Sequence, residues 1–187
     1  EIFAKKLNCK LSMFKEVHCQ TKSQIQYDTI HNLKSYDVDD SYNLLLYNLN
    51  IDDMSKITLL KQIGNELFHK YPPIILPETI YAINNITLKH IWGVSSNTNF
   101  ISGRYLDPFI KEKTNNKGIN LYSDLLSFVK PDLRFFECVK CLTPSNAKII
   151  HIGDDIQCDI EGAKNANLEF ILCEKPQNLS KIILSLL

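Results

Sequence analysis

Lys148-Ile149-Ile150-His151-Ile152 is a short apolar run that passes at once into Gly153-Asp154-Asp155 and then into a stretch with helical spacing. It is the clearest strand in the chain and it sets the pattern for the second half. Further strands are expected at residues 91–95 (Ile91-Trp92-Gly93-Val94-Ser95), near 119–122 and at 169–173, each separated from the next by a helical or polar stretch. Strands spaced by helices of ~10–15 residues predict a parallel, Rossmann-like α/β sheet with helices on both faces.

The first half reads differently. Residues 1 to about 75 are helical in pattern, with loops rich in Asn, Asp and Ser. Ile57, Leu60, Ile63, Leu67 and Phe68 recur at three and four, so they share one helical face. Tyr71-Pro72-Pro73 stops that helix, because proline cannot continue the hydrogen-bond ladder. Pro77-Glu78 opens another, which buries Ile80, Ile83 and Ile86. A division at residues 75/76 follows, with a helical region before it and an α/β region after it.

With 187 residues and 44% hydrophobic content, the chain can bury one medium core and a small additional region. Lys plus Arg equals Asp plus Glu at 21 each, so no global charge draws it to nucleic acid or to an anionic membrane. No apolar run reaches the ~20 residues of a membrane span. Ile182-Ile183-Leu184 is expected to close a terminal helix, and the start of the chain lacks the pattern of a signal peptide. Cys138 and Cys141 form a single CxxC in a helical segment, with no second thiol or His pair at zinc spacing. Reduced thiols in a cytoplasmic protein are the expectation for the six cysteines. Because residue 1 is Glu, a fragment or a processed product is also expected.

Three polar signatures fall at strand ends or helix starts, where parallel sheets bind ligands. In residues 151–163, Gly153 is expected to turn the chain out of its strand. Asp154 is then presented at the sheet edge, and Asp159 follows about one helical turn on. Two such carboxylates suit a hard cation such as Mg2+. The alternative is that Asp155 caps the helix and Asp159 is solvated. In Gly93-Val94-Ser95-Ser96-Asn97-Thr98-Asn99, a hydroxyl beside exposed backbone N–H groups suits a phosphoryl oxygen, or else makes an ordinary turn. In Lys130-Pro131-Asp132, proline at the first helical position leaves a lysine at the positive helix end, where it can offset phosphoryl charge or lie on the surface.

Together and in this order, these signatures resemble motifs two, three and four of the haloacid dehalogenase-like (HAD) superfamily, from roughly residue 75 to 175. The resemblance implies that residues 1–75 are a helical cap and 76–187 the core. It implies Ser96 as the phosphate-binding hydroxyl, with Asn97 beside it on the substrate. Lys130 would be the catalytic lysine, with Asp154 as the principal Mg2+ ligand and Asp159 as its acidic companion. Asp155 stands where many relatives have a small residue, and Ser127 replaces a glycine common before the lysine. The implied activity is Mg2+-dependent hydrolysis of a small phosphate monoester through a phosphoaspartate; a halide cradle suits the paired acids less well.

The family also needs a strand ending in Asp-x-Asp, and no such strand is expected within residues 1–187. Asp37-Val38-Asp39 has the letters, but the preceding His31-Asn32-Leu33-Lys34-Ser35-Tyr36 is largely polar, so a solvated loop is expected there. The nucleophile is expected upstream of residue 1. The alternative is a HAD-like module that binds a partner or phosphorylated ligand without catalysis. A receiver-like or nucleotide-binding module is disfavoured, because no Gly-rich phosphate loop follows an early strand. The substrate itself is not legible in the cap, and His18, His31, His69 and His90 carry no assigned role.

Overall fold

The computed structural model describes residues 1–114 and 118–187. Four helices come first: α1 (Ile2–Lys6), α2 (Leu11–Asn32), α3 (Val38–Asn48) and α4 (Ser55–Lys70). They share one core, in which Phe14, Leu45, Leu46 and Leu60 are buried and Phe3 stacks on Phe14. Each fully buried side chain of this size contributes ~1.5–3 kcal/mol of transfer free energy. As expected, α4 ends at Tyr71-Pro72. The solvated loop expected at residues 37–41 is instead the start of α3. Asp37 accepts the N–H of Asp40 at 2.8 Å and Asp40 reaches back toward the N–H of Asp37, a reciprocal capping box. Of the Asp-x-Asp pair, Asp37 is therefore spent on a helix donor, while Asp39 forms an ion pair with Lys61.

The remainder alternates helices with short strands. α5 (Pro77–Ile86) packs on α10 (Leu179–Leu184), with Ala82, Ile83, Ile86 and Ile183 buried and Trp92 and Ile152 against them. Between these helices run β1 (Ser95–Ser96), α6 (Gly103–Thr114), β2 (Leu121–Tyr122), α7 (Ser123–Leu126) and α8 (Leu133–Leu142). β3 (Ile150–Gly153), a π-helical turn (Ile156–Glu161), α9 (Gly162–Asn165) and β4 (Glu169–Leu172) follow. β1 pairs parallel with β2, and β3 pairs parallel with β4, but no ladder joins the two pairs among the described residues. The α/β class and the parallel sense are as read from the sequence, and the two small half-sheets fit the absent first strand.

The strand at residues 91–95 is shorter than expected. Val94 donates its N–H to the side chain of Asn120 rather than to a neighbouring strand, and Ile91 is exposed. Gly93 lies so close to the Ile119 carbonyl that a Cβ there would collide with it. Coverage of the sheet is also incomplete, since Phe170 and Leu172 on β4 are exposed. Pro131 is not the first helical residue either. α8 begins at Leu133, and Asp132 caps it by accepting the N–H of Arg134 at 2.9 Å.

Phe136, at 0% exposure, carries the packing of α8 on α9, with Ala163 and Ala166 against it and the His151 ring edge-on. Ser127, at the end of α7, has φ 61°, in the left-handed region that disfavours a Cβ. Phe136→Ala is expected to cost ~3–5 kcal/mol. Ser127→Gly is expected to be neutral or stabilising by up to ~1 kcal/mol. Urea unfolding midpoints of both variants check the opposite signs.

Candidate functional site

The three sequence signatures meet through Lys130. Its side chain is buried, and its Nζ donates to the Ser95 carbonyl at 3.0 Å and to Asp159 Oδ1 at 2.5 Å. Ser95 belongs to β1 and Asp159 follows β3, so one ammonium group bridges the ends of the two half-sheets. The backbone of Lys130 is held as firmly. Its N–H donates to Asn97 Oδ1 at 2.8 Å, and its carbonyl accepts from Asn97 Nδ2 at 2.9 Å. Asn97, expected on the substrate, thus has both ends of its carboxamide on Lys130. The hydroxyl of Ser96 is half-buried and takes no hydrogen bond among the described residues.

Asp159 is the anionic counterpart. Oδ1 also meets His151 Nε2 at 2.9 Å, and Oδ2 accepts the N–H of Asp155 at 3.1 Å. The solvated alternative for Asp159 fails, because the residue is only 4% exposed. Gly153 is needed here for space, not for a left-handed turn, since no glycine among the described residues has positive φ. A Cβ on Gly153 would overlap the Asp159 carboxylate. Asp155 caps the π-helical turn by accepting from Gln157 N–H at 2.9 Å and Cys158 N–H at 2.8 Å. Asp154, by contrast, is exposed, and its carboxylate takes no partner among the described residues.

His151 has no assigned role in the sequence reading, although it stands at the head of the motif. Its signal was spacing: on β3, residues 151 and 153 point to one face, the face on which Asp159 closes. Asp124 was missed as well. It accepts from Thr98 Oγ1, from Ser102 Oγ at 2.6 Å and from Gly103 N–H at 3.1 Å, and so pins the loop after β1 to the end of β2.

Among the described residues, no three His, Cys, Asp or Glu side chains cluster as a metal site. The donor set fits Mg2+ only in part: the free Asp154 carboxylate is a hard oxygen ligand at a strand end, while Asp159 is turned onto Lys130 and His151. Mg2+ tolerates so few protein ligands because it keeps several waters.

Burial pushes the Asp159 carboxyl up, but the His151 hydrogen bond, the Lys130 charge and hydrogen bond, and the Asp155 N–H outweigh burial and hold it well below the usual carboxylate range. A depressed folded-state pKa adds stability that is present above the unfolded value of ~3.9 and is lost as pH falls below it. Asp159→Asn leaves Lys130 buried without its counter-charge, so a loss of ~3–5 kcal/mol is expected at neutral pH. The gap to the parent is expected to narrow below about pH 4. Unfolding midpoints measured from pH 3 to pH 7 check it.

No protein-family model and no curated protein matches the sequence. Solved structures do match. The HAD-hydrolase YfnB from Bacillus subtilis, solved bound to magnesium, superposes with a TM-score of 0.69 at 15% identity, over 92% of this chain and 78% of that one. A 2-haloacid dehalogenase from Pseudomonas syringae pv. tomato superposes with a TM-score of 0.55 at 19% identity, over 87% of this chain and 68% of that one. At such identities the likeness speaks for architecture, and with the parallel half-sheets and the helical region it settles one point: this chain has the HAD-like fold.

Proposed function

We propose that the chain is the cap and most of the core of a hydrolase that cleaves a phosphate monoester of a small molecule. The observation that carries this reading is the buried Lys130 ammonium, fixed at the carboxyl ends of two parallel strands where an oxyanion would lie. Two of its three N–H donors are used by Ser95 and Asp159, which leaves one for a phosphoryl oxygen. Ser96, next in sequence to Ser95, would donate a second hydrogen bond from its free hydroxyl. Asn97 acts by fixing the Lys130 backbone, and Asp159 by holding its ammonium. The cap would set the identity of the substrate.

Mg2+, held by Asp154 and water with Asp159 as a more distant acidic neighbour, would offset phosphate charge when bound. The nucleophilic aspartate is proposed on a strand outside residues 1–187, pairing between β1 and β3. Its carboxylate would form the bond to phosphorus as the bond to the leaving alcohol breaks, and water would then release phosphate. A cytoplasmic setting and a free small-molecule substrate, with neither nucleic acid nor membrane as partner, complete the proposal. The balanced net charge supports the lack of a nucleic-acid or anionic-membrane partner; among the described residues, no helix is long and apolar enough to cross a membrane.

A second reading, a module that binds a phosphorylated ligand without turnover, is favoured by one observation. The Asp37–Asp39 pair lies at a helix start, with Asp39 in an ion pair with Lys61 at 2.6 Å, and not at a strand end.

Hydrolysis of p-nitrophenyl phosphate separates the readings. Residues 1–187 alone are expected to be inactive or poorly folded, and a longer protein that supplies the strand is expected to show Mg2+-dependent turnover. There Asp154→Asn, at an exposed position, is expected to lower activity by ~10²-fold or more without unfolding the protein, and Lys130→Met to abolish it. Turnover by residues 1–187 alone would place the nucleophile within them. Phosphate binding without turnover in the longer protein would favour the binding module.

A further inference from the structure

Between the helical region and the loop that follows β1 lies an open cavity of about 340 Å³, within the size range of small-molecule sites. It shares no lining residue with the Lys130 centre. Three carboxylates and two cations line it, and their pairing is unequal. Asp124 is saturated by the donors of Thr98, Ser102 and Gly103. Asp39 is neutralised by Lys61 at 2.6 Å. Asp37 uses only Oδ1, on the N–H of Asp40. The Arg104 guanidinium is exposed and forms no ion pair with any carboxylate among the described residues, although three share its cavity.

One unpaired cation and one half-used carboxylate therefore line the same cavity without touching, more than an ion-pair distance apart. A simple anion would meet Arg104 but would bring further negative charge to a lining that already carries a net −1 (two cations against three carboxylates). A simple cation would leave Arg104 unanswered. The complement of both is a molecule that carries a carboxylate and an ammonium together. Asn65 supplies an independent pointer: it lines the cavity, and its Oδ1 is buried with no hydrogen-bond partner. Turned toward the cavity, that acceptor would take a ligand N–H and be relieved of its unmet hydrogen bond. Phe68, almost fully buried, and Tyr105, half-exposed, add an aromatic wall for an apolar side chain.

We propose that this cavity binds a free α-amino acid, with the carboxylate on Arg104 and the ammonium toward Asn65 and Asp37. The proposal stands apart from the hydrolase reading, because no residue of the Lys130 centre takes part. The test is calorimetric titration of the longer protein that supplies the strand, with a panel of the common α-amino acids led by leucine and phenylalanine. Propionate, ethylamine and inorganic phosphate serve as single-charge probes. Saturable binding of at least one amino acid is expected, with the single-charge probes weaker by about ten-fold or more, the equivalent of one lost charge-assisted contact. R104Q, at an exposed position, is expected to weaken binding by a similar factor, as is N65L, whereas D154N leaves it unchanged. Circular dichroism of each variant guards against misfolding. No saturable binding of any amino acid, equal binding of propionate or phosphate, or undiminished binding by a folded R104Q protein overturns the proposal.

Discussion

The buried contact between Lys130 and Asp159 is the interaction on which the rest of the α/β region depends. Among the described residues, no backbone ladder joins the β1–β2 pair to the β3–β4 pair. The two pairs are tied at their carboxyl ends by a chain of polar contacts from the Ser95 carbonyl through the Lys130 ammonium to Asp159, which lies against Gly153 at the end of β3. A buried pair of this kind gains little net stability over an apolar one, yet breaking it strands a charge at a cost of several kcal/mol. It therefore specifies a geometry more than it adds stability. Its retention here is best understood through what it does to position: it holds a cation where two strands end.

The surrounding contacts serve the same end. Asn97 fixes the Lys130 backbone from the β1 side, and His151 and the Asp155 N–H fix the Asp159 carboxylate from the β3 side. Asp155 donates that N–H while its side chain accepts at the helix start, and the carboxylate of Asp154 takes no partner among the described residues. Adjacent acids in one short motif thus divide into a cap, a lysine anchor and an exposed ligand candidate. The division follows from which of them the π-helical turn carries inward.

How far the sequence was legible depended on whether a residue's role was local. The strand–Gly–Asp–Asp pattern, the order of strands and helices, the stop at Pro72 and the helix from Pro77 are set by neighbours a few positions away, and all are found in the structure. Asp37 misled because acid spacing alone cannot distinguish a capping box from a polar loop; the donor that decides it, the Asp40 N–H, exists only once α3 forms. Gly153 was read as a turn residue, whereas its reason is the Asp159 carboxylate packed against it. Residues 91–94 read as strand because they are apolar, but Asn120 intercepts the Val94 N–H from 26 positions away. The pair of hydrogen bonds from Asn97 to Lys130 is likewise long-range, and nothing in the local sequence marks it, whereas the contact of His151 with Asp159 spans eight positions and is marked only by strand spacing.

The open edges of β1 and β3 bear on what the sheet needs. Among the described residues each strand is paired on one side only, so each carries a row of backbone N–H and C=O groups with no ladder partner on the other. In water such an edge invites pairing with another strand, and proteins normally cover it or charge it. Here neither device is present on β3, whose four residues Ile150, His151, Ile152 and Gly153 are half-buried and carry no Lys, Glu or Pro. Lys130 cannot substitute for a ladder, because it meets only one carbonyl of β1 and no backbone group of β3. Each backbone group left buried and unpaired costs ~1–3 kcal/mol, so several of them approach the ~5–15 kcal/mol that keeps a domain folded. A parallel strand inserted between β1 and β3 would satisfy both rows at once, and its carboxyl end would emerge beside the Lys130 ammonium.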